Sequence, residues 1–493
     1  MRPRRRFAGL LLPILAAALY GCSGGNSHVK PDVVIVLIDT LRADFIQPQG
    51  YDRETTPHLS LLADESVLFE AAHAPAPWTL PSVVSIHSGR HMAEHNVVTE
   101  KTKLSAEVPI LSQILSGEGY RTASFHKNAF AGTKAGLDRG FDQCHLIRRN
   151  VDGVFLQPVY DEAEAEGYSS PMFLYIHNAE PHDPHHTRKK FLTSFDPVSD
   201  EFLEEYGKLV ADYRSLTRID YVKKKPLGTT DNTAQQESKM SALTSKVEEV
   251  NNLYACSVRD ADDRVGSIIA EIKDRGRWDQ TLFIVISDHG EEMSEHGGWQ
   301  HDQSAYQELL HVPLIVKLPG GAHAGHRVLS PVSLVDLLPT ILDTVGADLP
   351  ENISGRSLLP LIESEPDPEP RLVGIRNNAR KFYRPYKELR GDLNIAVRWG
   401  DWKGIFNVEP DTFELYDLAA DPGESRDLSE ERPEVTDKLR QFAAVRYAEL
   451  LAVSVDAVAD GGLDGANAEV LQSLKDLGYI GDDIEPEHSE DDG

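Results

Sequence analysis

Three cysteines in 493 residues are too few for a disulfide-built domain, so the chain must fold around an apolar core. Cys22 belongs to the N-terminal leader, which leaves Cys144 and Cys256 either to pair or to stand as two free thiols. Positive charge is scarce as well. Asp and Glu number 79 against 50 Lys and Arg, and the formal charge of -29 repels a nucleic-acid partner over most of the surface. An anionic ester is still accessible to such a chain if a local metal draws it in. No internal repeat is present, which excludes solenoid and propeller architectures.

The opening "MRPRRRFAGLLLPILAAALYGCSGG" has a basic start, an apolar run too short for a comfortable membrane span, and small residues at its end. It reads as an export signal over residues 1–21, followed by a polar linker over 22–30. Leu19-Tyr20-Gly21-Cys22 resembles a bacterial lipoprotein box, with Cys22 as the lipidated residue; an ordinary cleaved signal is the alternative. The expectation is an exported protein, anchored by lipid and facing the periplasm or the cell exterior.

"PDVVIVLIDT" is a continuous apolar run ending in an acid, as expected of a strand buried on both faces. Similar runs at "MFLYIHN", "TLFIVISDHG" and "VPLIVKLP" alternate with helix-like segments such as "RDADDRVGSIIAEIKDRG". This pattern predicts an α/β fold, a mostly parallel sheet flanked by helices, over residues 31–347. A polar, Lys-rich stretch near 187–250 reads as an insertion at the mouth of the site. Past the linker "ESEPDPEP", short strands predict a smaller α+β subdomain over 348–480, and residues 481–493 form an acidic tail.

In parallel sheets, polar residues that follow strands collect at one carboxyl edge, where ligands bind. Asp39, His177, Asp288 and His289 all hold that kind of position. Asp39, Asp288 and His289 supply oxygen, oxygen and nitrogen, a set suited to Mn, Zn or a similar borderline ion and less to Ca. His296 and His301 follow in the same loop, and "IHNAEPHDPHH" adds His182, His185 and His186, stiffened by Pro181 and Pro184. In "PWTLPSVVSIHSGRH", Thr79 opens a predicted helix. A hydroxyl there meets the positive end of the helix dipole, and a metal touching it would make an alkoxide accessible.

These stretches, with "GYRTASFHKNAF", "QHDQSAYQELLHVPLIV", "FELYDLAADPGESRDL" and the late "LKDLGYIG", resemble the sulfatase-like branch of the alkaline phosphatase superfamily over nearly the whole chain after the signal. The resemblance implies an alkaline-phosphatase-like core and a metal-dependent ester-cleaving site. It implies that Asp39, Thr79, Asp288 and His289 hold one or two divalent ions (Mn, Zn, Mg or Ca), with Thr79 the nucleophile and His182 and His301 facing the ester. Lys127, Asn128, His177 and His296 are the further substrate-binding candidates.

The departures bear on the reaction. Sulfatases resemble Cys or Ser-x-Pro-x-Arg at the nucleophile, whose first residue becomes formylglycine, whereas here Thr79-Leu80-Pro81-Ser82-Val83 stands there. Threonine cannot undergo that conversion. The usual Asp-Asp pair is Asp39-Thr40. A threonine ester must wait for attack at phosphorus or sulfur, which favours phosphoryl chemistry on a small-molecule, glycan or lipid ester. Phosphoethanolamine and phosphoglycerol transferases also use Thr, but they carry several membrane-spanning helices and a Glu in the first ligand position, and this sequence has neither. The expected activity is hydrolysis, with transfer to a second acceptor or a catalytically inactive glycan- or anion-binding relative as alternatives.

Overall fold

The computed structural model describes residues 30–165, 167, 170–217, 219–220, 225–226, 233–363, 367–377, 392–459 and 468–477. The export signal with Cys22 and the acidic tail lie outside the described residues. Among the described residues no helix is long and apolar enough to cross a membrane.

Eight strands form the central sheet: β1 (Asp32–Ile38), β2 (Val67–Phe69), β3 (Arg121–His126), β4 (Gln143–Leu146), β5 (Met172–Asn178), β6 (Thr281–Ile286), β7 (Leu314–Lys317) and β8 (His326–Val328). Their order is β8-β2-β7-β6-β1-β5-β3-β4. All run the same way except β7, which is antiparallel to both β6 and β2. The α/β expectation holds, with this one reversal inside it. Every residue of β1 is buried, because side chains that alternate across the sheet meet a helical layer on each face. Val33, Ile35 and Leu37 join one core, and Val34, Val36 and Ile38 join the other.

Helix α1 (Thr79–Ser88) and α3 (Leu337–Val345) build the first layer, and the long α2 (Val247–Asp274) anchors the second. The stretch read as an insertion holds helices at Asp200–Thr217 and Thr233–Thr244 before α2 begins. Cys144 and Cys256 are both free, which closes the choice left open by the sequence.

Beyond the sheet, β9 (Arg371–Asn377), β10 (Leu393–Trp399), β11 (Trp402–Asn407) and β12 (Thr412–Asp417) form an antiparallel meander. Helix α4 (Pro433–Ala452) covers its outer face, where Leu439 and Ala443 meet Ile395 and Val397. Ala396, pointing the other way, joins the main core. The last described helix, α5 (Ala468–Asp476), returns to the main core through Leu471 and Leu474. Ser473 on α5 donates to the Lys127 carbonyl at 2.7 Å and accepts the Ala129 N–H at 3.2 Å. Helix α5 is thereby stitched to the loop after β3.

Candidate active site

The carboxyl ends of β1, β5, β3 and β6 converge on the start of α1. Asp39 leaves β1 and is followed by Thr40 at φ 58°, a left-handed conformation that is costly for a β-branched residue. Tyr254 on α2 holds the Thr40 carbonyl with its hydroxyl at 2.6 Å. Asp288 leaves β6, and its carbonyl accepts the Ser82 hydroxyl of α1 at 2.6 Å, which fixes the helix start against the strand end. Trp78, extended at φ -162° and ψ 159°, caps α1, so Thr79 is its first helical residue. Pro81 falls in the first turn, where a missing N–H costs nothing.

Around Thr79 the predicted residues come together. Its Oγ1 lies 3.3 Å from His289 Nε2 and accepts from Asn128 Nδ2 at 3.2 Å, and Asn128 also donates to Asp39 Oδ2 at 3.3 Å. His289 Nε2 lies 3.6 Å from Asp39 Oδ1 and 3.5 Å from Asp288 Oδ2. Its Nδ1 is 2.8 Å from the Gly290 carbonyl, which only accepts, so the proton sits on Nδ1 and the Nε2 lone pair faces the carboxylates. His177, with Nε2 3.6 Å from Asp39 Oδ2, completes the group. Asp39, His177 and Asp288 each bring a ligand atom within 4.8 Å of the others.

The electrostatics fit a cation. Burial, then the neighbouring Asp288, pushes the Asp39 carboxyl well above the usual range. Burial lowers His177 to about 4, so its ring is neutral and able to ligate. Asp39 Oδ1, Asp288 Oδ2 and both His177 nitrogens are buried with no hydrogen-bond partner among the described residues. Two buried carboxylates facing a neutral imidazole, with lone pairs to spare, are a donor set short of positive charge. His177, a substrate-binding candidate in the sequence, lies with Asp39 and Asp288 in a group whose atoms are close enough to hold a cation.

His182 and His301 meet each other. Their Nε2 atoms are 3.2 Å apart, and His182 Nδ1 is 2.7 Å from the Asp183 carbonyl. The His301 ring lies 4.7 Å from that of His289, so the pair borders the Thr79 group. Lys127 and His182 line a cavity of about 200 Å³ together with Glu180, Asp183, Asp476 and Leu477. His296 goes elsewhere. Its ring stacks on Tyr306 at 3.7 Å and its nitrogens meet Glu308 and the Glu424 carbonyl, so the substrate-binding expectation for it finds no support in its contacts. Sequence reasoning missed Tyr254 behind Thr40 and Asp476 in the cavity wall. Neither had a signal beyond helical spacing.

The sulfatase family model matches residues 31–347, and the C-terminal model of N-sulphoglucosamine sulphohydrolase matches residues 294–445. The chain belongs to the sulfatase family. The chain is 23% identical over 486 residues to an N-acetylglucosamine-6-O-sulfatase of Bacteroides thetaiotaomicron, covering 85% of this chain and 86% of the relative. It superposes on a phosphonate monoester hydrolase from Silicibacter pomeroyi with TM-score 0.65 and 20% identity, covering 85% of this chain and 95% of that one. A structure of a protein in complex with its substrate D-glucosamine-2-N,6-O-disulfate superposes with TM-score 0.64 and 18% identity, covering 85% and 98%. As a sulfatase-family member it is an ester hydrolase, and divalent metal is general in the family. Val83, where an Arg resembling the family's was missing from the sequence, is wholly buried in the apolar core. That position offers Thr79 no cation.

Proposed function

We propose that this sulfatase-family hydrolase cleaves a phosphate or sulfate ester with Thr79 as covalent nucleophile, phosphoryl esters being favoured. The observation that carries the reading is the placement of Thr79 Oγ1, at the N-terminus of a buried ten-residue helix, 3.3 Å from His289 Nε2 and 3.2 Å from Asn128 Nδ2. Asp39, Asp288 and His289, with Thr79 itself and His177 as a further donor, would hold one or two divalent cations. When bound, the cation supplies positive charge that lowers the pKa of the Thr79 hydroxyl and of the ester oxygens it faces.

Thr79 Oγ1, its proton already lost to solvent so that it reacts as the alkoxide, attacks phosphorus in line with the departing oxygen; an Oγ1–P bond forms as the bond to the leaving oxygen breaks. Asn128 orients Oγ1 through its amide, and the α1 N-terminus favours the negative charge on the transferred group. The proton shared between His182 and His301 passes to the leaving oxygen. Water then attacks the phosphothreonine, the same pair takes its proton, and Thr79 is released. Lys127 at the cavity wall contributes a cation for an anionic glycan, lipid or small-molecule ester.

Metal-loaded protein should turn over aryl phosphodiesters, phosphonate monoesters or phosphate monoesters faster than aryl sulfates. A preference for sulfate would refute the phosphoryl assignment. Added ethanolamine or glycerol should leave the products unchanged, and its capture in a new ester would make the enzyme a transferase. Export and a lipid anchor at Cys22 belong to the same proposal; Cys22→Ala should release the protein from membranes.

A further inference from the structure

The loop after His289 folds over the C-terminal meander and gathers a second donor set away from Thr79. Glu292 and Glu308 are buried, His296 is partly buried, and a ligand atom of each lies within 4.8 Å of the others. We propose that Glu292, His296 and Glu308 hold a second divalent cation of borderline character, Zn or Mn in class, which ties the two ends of this loop together.

The imidazole is arranged as a ligand. His296 Nε2 is 3.2 Å from the Glu424 carbonyl, which can only accept, so Nε2 carries a proton. Nδ1 is the atom that faces Glu308 Oε1, at 2.6 Å, and it holds either a second proton or a metal. A backbone carbonyl fixing the far ring nitrogen while the near one faces carboxylates is the arrangement that orients metal-bound histidines.

Glu292 points the same way. It is 1% exposed; Oε1 accepts the Gly298 N–H at 2.8 Å, whereas Oε2 is buried with no hydrogen-bond partner among the described residues. A carboxylate oxygen so placed is costly unless a cation meets it. A Cβ at position 298 would collide with both carboxylate oxygens, so glycine there keeps the cradle open. Lys403, a buried cation that faces Glu308, is itself paired with Glu424 at 2.7 Å.

A way in exists. A cavity of about 590 Å³ reaches His296 and is lined by Glu295, Glu414, Glu424 and Asp427, four acids that would draw a cation inward. Two carboxylates and one imidazole suit Zn or Mn better than Ca or Mg, and water from the cavity would complete the shell.

The test is metal stoichiometry of the full chain by equilibrium dialysis against Zn or Mn and elemental analysis. An Asp39→Asn/Asp288→Asn variant, blind to the Thr79 centre, should retain one equivalent and melt at a higher temperature with metal than without. Adding Glu292→Gln should abolish both. No equivalent in the first variant overturns the proposal, as does an equivalent that survives Glu292→Gln. Should the triple variant fail to fold, X-ray anomalous scattering from Zn-soaked Asp39→Asn/Asp288→Asn crystals decides: a peak among Glu292, His296 and Glu308 supports the site, and none there rejects it. Because this background is catalytically silent, the outcome is independent of whether Thr79 is the nucleophile.

Discussion

Two buried groups of charge handle the same problem in opposite ways. Where the C-terminal meander meets the main domain, Lys403 on β11 and Glu424 are both fully buried in their side chains and lie 2.7 Å apart, each supplying the other's countercharge. At the carboxyl edge of the sheet, Asp39 and Asp288 are equally buried, and among the described residues no Lys or Arg pairs with them; their neighbours are His177, whose ring burial keeps neutral, together with His289, Asn128 and Thr79. One group is complete within the chain. The other, among the described residues, keeps spare donor atoms that could hold a cation, and the difference separates architecture from chemistry more clearly than burial does.

The contrast is broken most severely at Thr79. Thr79→Ala should lower kcat by about 10⁴-fold or more in a steady-state assay while leaving the thermal midpoint nearly unchanged, since the side chain serves the reaction and not the core. Lys403→Met should do the reverse. Leaving Glu424 uncompensated should cost about 3–5 kcal/mol by chemical denaturation, and Lys403→Met/Glu424→Gln should recover most of that. Asp288→Asn sharpens the comparison: metal affinity, read by calorimetry, should fall by at least about 100-fold. The metal-free variant should nonetheless melt higher than metal-free wild type, because the repulsion that raises the Asp39 carboxyl is gone.

A smaller effect comes from the histidines that serve the core. Burial alone lowers His87 on α1 to about 3, and burial, chiefly, does the same for His126 on β3. Their folded values lie below the unfolded value of about 6.5, so the unfolded chain binds more protons, and stability falls as pH drops below about 6.5 towards 3. Thermal midpoints of metal-free protein should decline over that window, and His87→Gln should flatten the decline. A pH-independent midpoint between pH 6 and 4 would contradict it.

Much of the centre was legible because strand ends announce themselves. Apolar runs closing on Asp39 and on Asp288-His289 place three candidate donors at one sheet edge from the sequence alone. The α/β alternation did the same for the fold. Other features had no local signature. The reversal of β7 depends on a long-range partner, and "VPLIVKLP" reads the same in either direction. His177 and His182 look alike as loop-proximal histidines, and only the register of β5 against β1 turns the first toward Asp39 while the second meets His301. His296, five residues from His301, is drawn away by Glu308 and Tyr306, which follow it in sequence but close on it only in the fold. Asp476 and Leu477 reach the cavity because α5 packs back on the main core, nearly 350 residues from Lys127.

The most direct test of the account is mass spectrometry of metal-loaded protein after brief exposure to aryl phosphate, aryl phosphodiester and aryl sulfate, comparing wild type with Thr79→Ala. The account predicts a phosphoryl or substituted phosphoryl group on the Thr79 peptide of wild type and none on the variant. Equal turnover by both proteins with no adduct at Thr79 would contradict it.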